Sequence, residues 1–213
     1  MVLSGMLAGG DKSLQMICLN LGPGALFLPN WENLDYEVPT GYEKYIKKVD
    51  ITQGLSYPDE SVELIYCAHV FDHIAPILDG VPLLVECRRV MQPGAVARFT
   101  MMDWNKIAPK YPNHLDDFAI WQPDFYRRVK SPALKFSLFL FGDSGSKQSM
   151  GYKGHWACLN YEAFKELAMD AGWEAGQVFN MEVQKSHSKT LERDVKDMYE
   201  DHSFFVELVK CKT

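Results

Sequence analysis

Two glycines, two aspartates and a histidine stand where a nucleoside could be gripped and a proton moved. Gly22 and Gly24 follow the apolar run Met16–Leu21 in the segment LNLGPG. Glycines directly after a first strand let a ligand approach the backbone, and the carboxyl ends of parallel strands border the binding crevice. The same residues also suit a plain glycine–proline turn. Asp35 closes the alternating run Trp31–Tyr36. A carboxylate there could accept both hydroxyls of a ribose, or cap a turn. Asp50 closes a third run, Tyr45–Ile51. It could accept from an adenine amino group while Ile51 packs on the ring, or simply form a turn. His69 follows Val62–Ala68 and Asp103 follows Ala95–Met102. Either could act as general base toward a hydroxyl nucleophile, with His69 first in order. His73 reads as structural. His155 either borders the acceptor side or caps a loop.

The spacing argues against a nicotinamide dinucleotide. That fingerprint needs G-x-G-x-x-G and an acid ~20 residues on. Here Phe27 occupies the third glycine position, and Asp35 comes thirteen residues after Gly22.

The elements that must hold these residues can be read from pattern. Strands are expected over Met16–Leu21, Trp31–Tyr36, Tyr45–Ile51, Val62–Ala68 and Ala95–Met102. A helix is expected over Leu78–Met91, stopped by Pro93-Gly94. The alternation implies an α/β fold with a mostly parallel sheet. Between Gly24 and Trp31 there is too little chain for a full crossover helix, which takes at least ~10–12 residues. A clipped or single-turn helix is expected there. Farther on, 114–141 reads as one or two aromatic-rich helices and 143–153 as a Gly/Ser-rich mobile loop. Asn160 should cap a helix over Tyr161–Ala171 that Gly172 ends. Trp173–Val183 and Phe204–Lys210 read as further strands, and Leu191–Asp201 as a solvated charged segment.

Composition narrows the class. Of 213 residues, 47% are hydrophobic and 23% charged, which is ordinary for a globular domain. A net charge of -6 argues against a nucleic-acid partner. The Lys44, Lys47, Lys48 cluster reads as a solvated surface. The five cysteines show no C-x-x-C spacing, so no metal site is suggested, and their odd number fits a reducing, cytoplasmic setting. Cys18, Cys67 and Cys211 fall in runs that read as strands. No signal peptide or membrane-spanning run is seen.

Taken together, the order of motifs resembles the class I S-adenosylmethionine-dependent methyltransferases. It is most similar to a bacterial-type group with a LNLGCG-like turn, here LNLGPG, and a second-strand motif, here NWENLD. The segments VDITQGLSYPDESVELIYCAHVFDHI, ECRRVMQPGAVARFTMMD, GHWACLNYEAFKELAMDAGW and SFFVELVK extend the likeness to the C-terminus. The resemblance implies a Rossmann-like seven-stranded sheet, mostly parallel, with the last strand antiparallel and helices on both faces. It implies one domain over 16–213, with a flexible tail over 1–15 and a helical substrate-side insertion at about 104–153. The cofactor implied is S-adenosylmethionine, contacted by Leu21, Gly22, Pro23, Gly24, Asp35, Tyr36, Asp50, Ile51, Ala68 and His69. The acceptor implied is a small molecule or a glycan, with Trp104–Trp121 forming part of its pocket. Three residues depart from the pattern: Pro23 in place of a small residue, Asn20 in place of an acid, and Asp72 in place of a glutamate. Pro23 and the short first crossover motivate an alternative, a non-catalytic nucleoside-binding protein on the same fold.

Overall fold

The computed structural model describes residues 16–114, 128–141 and 154–212. The expected tail over 1–15 and mobile loop over 143–153 lie outside them, as do residues 115–121 of the aromatic stretch Trp104–Trp121. Seven strands form one sheet: β1 Ile17–Leu21, β2 Glu32–Asp35, β3 Ile46–Lys48, β4 Val62–Ala68, β5 Met91–Met102, β6 Val178–Met181 and β7 Ser203–Val209. Their order is β3-β2-β1-β4-β5-β7-β6. Pairing is parallel from β3 through β5, and β7 runs antiparallel to both β5 and β6. The chain reverses its strand order between β1 and β4, which opens a crevice at their carboxyl ends.

Period-two alternation gives the sheet two packed faces. Ile65, Cys67, Ala97, Phe99, Val206 and Leu208 face the main core, shared with α1 (Val81–Val90) and α4 (Tyr161–Asp170). Leu64, Tyr66 and Val96 face the opposite side, packing with Trp31, Leu191 and Val195. Two further helices, α2 (Trp104–Ile107) and α3 (Pro132–Phe141), pack Ile107 and Leu140 in a small third cluster with Met102 of β5. The remaining helix, α5, spans Lys189–Asp194.

Several expectations need correction. No helix forms between Gly24 and Trp31. Two buried asparagines bond that connection instead: Asn33 accepts from Leu28 N–H at 2.8 Å and donates to the Leu28 and Trp31 carbonyls, and Asn20 donates to Asn33 Oδ1 at 2.8 Å. Backbone groups without a helix must find such partners when buried. The segment over Leu191–Asp201 is not merely solvated. Leu191, Val195 and Asp197 are buried, and Asp197 pairs with Arg98 of β5. Helix α1 begins at Val81 after a five-residue π turn over Pro76–Gly80. Strand β5 already pairs at Met91, and Pro93-Gly94 forms a bulge inside it, with Gly94 at φ +87°. The strand expected over Trp173–Val183 is confined to Val178–Met181, because Trp173 turns into the core and donates to the Leu84 carbonyl at 3.1 Å. Cys211 lies beyond β7 and is exposed.

Candidate functional site

The glycine turn is shaped by β2. Gly22 N–H donates to the Leu34 carbonyl at 2.7 Å, extending the β1–β2 pairing past the end of β1. Gly24 N–H donates to Asp35 Oδ2 at 2.8 Å, and Glu37 N–H donates to Oδ1 at 3.1 Å. These bonds fix the carboxylate beside the turn. An ionised carboxylate has about four lone-pair sites, so two bonds leave acceptor capacity for a diol. Gly22 and Gly24 sit at φ +66° and +54°, the left-handed region that glycine enters freely. At Gly22 a Cβ would overlap Val70 Cγ2, so the turn also depends on its bare backbone.

Asp50 sits at the next strand tip. Its Oδ1 accepts from Thr52 N–H at 3.1 Å and Thr52 Oγ1 at 2.6 Å, capping the short turn Ile51–Gln53. Both readings of Asp50 are therefore compatible, since one oxygen caps and the carboxylate still borders open space. A cleft of about 660 Å³ runs across these tips. Gly22, Gly24, Asp35, Tyr36, Asp50, Ile51 and His69 all line it. That volume suits a nucleoside-sized ligand. Leu21, Pro23 and Ala68 do not line the cleft: Leu21 and Pro23 are buried beneath the turn, and Ala68 packs against the opposite face of the sheet.

The tips of β4 and β5 differ in what they offer. His69 adopts φ +53°, an uncommon backbone for a residue with a side chain. Its Nε2 lies 3.1 Å from Ser203 Oγ and its Nδ1 lies 3.8 Å from Asp72 Oδ2. Asp103 does not line the cleft. Its Oδ1 accepts from Asn105 N–H at 3.0 Å and caps α2, and burial raises its pKa. His155 is absent from the cleft lining too, and its Nδ1 contacts the Leu140 carbonyl at 2.8 Å. Burial holds its pKa below the usual histidine value. His73, read from sequence as structural, does line the cleft, and its ring stacks on His155 with centroids 4.3 Å apart.

Residues 27–99 match the family described as Methyltransferase domain. A SAM-dependent methyltransferase from Archaeoglobus fulgidus superposes with a TM-score of 0.52 at 13% identity, covering 92% of this chain and 86% of that one. Residues 27–99 therefore resemble a methyltransferase domain, and the chain shares the fold of that SAM-dependent methyltransferase. The CMeT domain of the citrinin polyketide synthase also shares the fold, with a TM-score of 0.50, 13% identity, and coverage of 92% of this chain and 47% of that one. The probable methyltransferase ltbC of Aspergillus luteorubrus is 32% identical over 82 residues, 38% of this chain. The matched stretch spans 27% of that relative's length.

The cleft is large enough for a nucleoside-sized ligand, and its lining is acidic. Its charged lining residues among those described are Asp35, Glu37, Asp50 and Asp79, with no lysine or arginine. Such a lining suits a ligand that carries a sulfonium. The sequence reading missed several lining residues, among them Val70, Thr52, Ile74 and Trp156. Val70 and Ile74 read as ordinary apolar residues flanking FDH. Trp156 is brought in by its backbone N–H, which donates to the Asp72 carbonyl at 2.8 Å. No local pattern marks that contact. Among the described residues, no group of histidine, cysteine and carboxylate side chains is arranged to hold a metal, and no helix is long and apolar enough to cross a membrane.

Proposed function

We propose that the chain transfers a methyl group from S-adenosylmethionine to a small-molecule or glycan acceptor. One observation carries this reading. The Asp35 carboxylate, tied to Gly24 N–H at 2.8 Å, borders the same cleft as Asp50 and His69. In this reading the turn at Gly22–Gly24 passes the amino-acid end of the cofactor, with Leu21, Pro23 and Ala68 supporting the turn and strand tip from beneath. Asp35 accepts the ribose hydroxyls, with Tyr36 beside it. Asp50 accepts from the adenine amino group, and Ile51 packs on the ring. When bound, S-adenosylmethionine supplies an already activated methyl group, so the protein's part is alignment in a site that excludes water.

His69 serves as the base for a protic acceptor. Asp103, at the tip of β5, is the other candidate base. Its capping bond to Asn105 and its place outside the cleft favour His69. The acidic lining favours a neutral or cationic acceptor over a polyanion.

Titration calorimetry with S-adenosylmethionine is the direct test. Saturable binding, followed by formation of S-adenosylhomocysteine in the presence of a panel of hydroxyl- and amine-bearing acceptors, is the expected result. Absence of binding at millimolar cofactor would rule the reading out. Binding without turnover on any acceptor would favour a nucleoside-binding protein instead.

A further inference from the structure

Asp72 is fully buried, and neither of its carboxylate oxygens has a hydrogen-bond partner among the described residues. A buried carboxylate without donors is costly, and a native fold retains one only where something compensates. Two imidazole nitrogens face its Oδ2: His69 Nδ1 at 3.8 Å and His155 Nε2 at 3.9 Å. These separations exceed a hydrogen bond but lie within strong electrostatic reach. The two rings are not equivalent. His155 Nδ1 is engaged by the Leu140 carbonyl, which can only accept, so the proton of neutral His155 sits on Nδ1. Burial keeps this ring toward its neutral form. Its Nε2 then offers Asp72 a lone pair rather than a proton. Of the two facing nitrogens, His69 Nδ1 is the one left to donate.

The opposite edge of His69 agrees with this assignment. Ser203 Oγ, fully buried at the start of β7, stands 3.1 Å from Nε2 and can donate its hydroxyl there. We propose that Asp72 is a positioning residue, which holds neutral His69, a lining residue of the cleft, in the Nδ1–H tautomer and leaves Nε2 as the basic nitrogen. This rests on the methyl-transfer reading above for its purpose, though not for its geometry. A protic acceptor would replace Ser203 as the donor to Nε2. Its O–H or N–H proton would pass to Nε2 as its electron pair bonds to the methyl carbon, while the bond from that carbon to sulfur breaks. The resulting imidazolium would face the Asp72 carboxylate.

The electrostatic surroundings favour the ionised carboxylate. Burial alone would raise the Asp72 pKa, but His69, His73 and His155 outweigh it and hold it down to about 2. The other titratable groups around the pair are Cys67 on β4, Cys158 beyond His155, and Tyr199, whose ring meets His69 edge-on at 5.2 Å. Burial, with a smaller contribution from Asp72, raises both thiols, so neither brings a competing charge.

The ring-nitrogen shifts of His69 in uniformly ¹⁵N-labelled protein report the tautomer directly. Neutral His69 is expected as Nδ1–H in the wild type and in Ser203→Ala. Asp72→Asn should move the tautomer ratio toward Nε2–H by about tenfold, the scale of a carboxylate charge acting on a proton about 4 Å away. A purely structural aspartate would leave the ratio unchanged on substitution, and that outcome overturns the proposal. If Asp72→Asn fails to fold, the wild-type spectrum still decides: a neutral His69 protonated on Nε2 ends the idea. Calorimetry with S-adenosylmethionine on the same wild-type sample keeps the two readings apart. Lack of binding removes the methyl-transfer reading and leaves the tautomer result standing.

Discussion

The Asp35 carboxylate accepts the Gly24 N–H at 2.8 Å, so the tip of β2 and the turn after β1 form one unit. Replacing Asp35 with alanine removes that acceptor, the one for Glu37 N–H, and the proposed ribose partner together. Affinity for S-adenosylmethionine should fall by about 10- to 100-fold, the range for bonds to a charged acceptor. Asp35→Asn should fall between the two, since its carbonyl oxygen can still hold one of the backbone donors. Calorimetry on both variants measures the difference.

Gly22→Ala should be severe for two separable reasons. Its φ of +66° strains any side chain, and the new Cβ would overlap Val70. A combined loss of about 3 kcal/mol or more is expected. Gly41→Ala is the control, because Gly41 also has positive φ, at +92°, but nothing within 4 Å of a Cβ. It should lose about 1 kcal/mol from strain alone. Urea unfolding of the two variants separates overlap from backbone strain.

Arg98 is buried on the back of the sheet between two carboxylates. It bonds Asp197 and Glu207, and donates further to the Lys185 and Glu182 carbonyls. Glu207 in turn accepts from His187 N–H at 2.9 Å. Arg98→Met would strand two buried carboxylates and free the 182–197 segment. Breaking a buried pair from one side costs about 3–5 kcal/mol, which thermal unfolding should register as a large drop in Tm. A triple change of Arg98, Asp197 and Glu207 to apolar residues should recover part of it.

Acid should weaken the fold through groups around the cleft. Asp72 and Glu86 are each held down to about 2, from ordinary values of 3.8 and 4.5. For Asp72 the cause is the three imidazoles acting against burial; for Glu86 it is chiefly the bond from Arg89. A depressed carboxyl contributes stability above its unfolded-state value and loses it as pH falls toward the folded-state value. The unfolded chain therefore binds more protons between about pH 4.5 and 2, and stability should decline across that window. His155, also depressed, adds a loss that begins below its ordinary value of 6.5. Asp72 contributes on the order of 2 kcal/mol. Unfolding curves at pH 7, 5 and 3 should show the decline, and Asp72→Asn should flatten its lower part.

Much of this architecture is written locally. The apolar run Val62–Ala68 is a strand with those same ends, and Asn160 caps its helix by accepting from Ala163 N–H at 3.0 Å. The strand-tip residues Gly22, Asp35, Asp50 and His69 could be located because tips follow from strand ends, and strand ends follow from pattern. What escaped notice depends on distant partners. The charged stretch after Leu191 looks solvated until Arg98, far earlier in the chain, is placed beneath Asp197. Asp72 reads as one polar residue in a turn, and only the arrival of His155 and Trp156 beside it reveals a buried carboxylate. The shortness of the β1–β2 connection could be read from its length, but neither its lack of any helical turn nor the asparagine pair that sustains it.

Where a crossover helix would otherwise cover the back of β1 and β4, the layer is supplied by Leu191 and Val195, and the Trp31 indole N–H reaches Asp194 at 3.2 Å. During synthesis Cys18, Leu64, Tyr66 and Val96 therefore stay wet on one side until Leu191 and Val195 have emerged. Residues 27–99 alone would leave that face without the cover that Leu191 and Val195 give it. Shortened versions cut before the last turns of the chain would expose an apolar wall and be prone to aggregate.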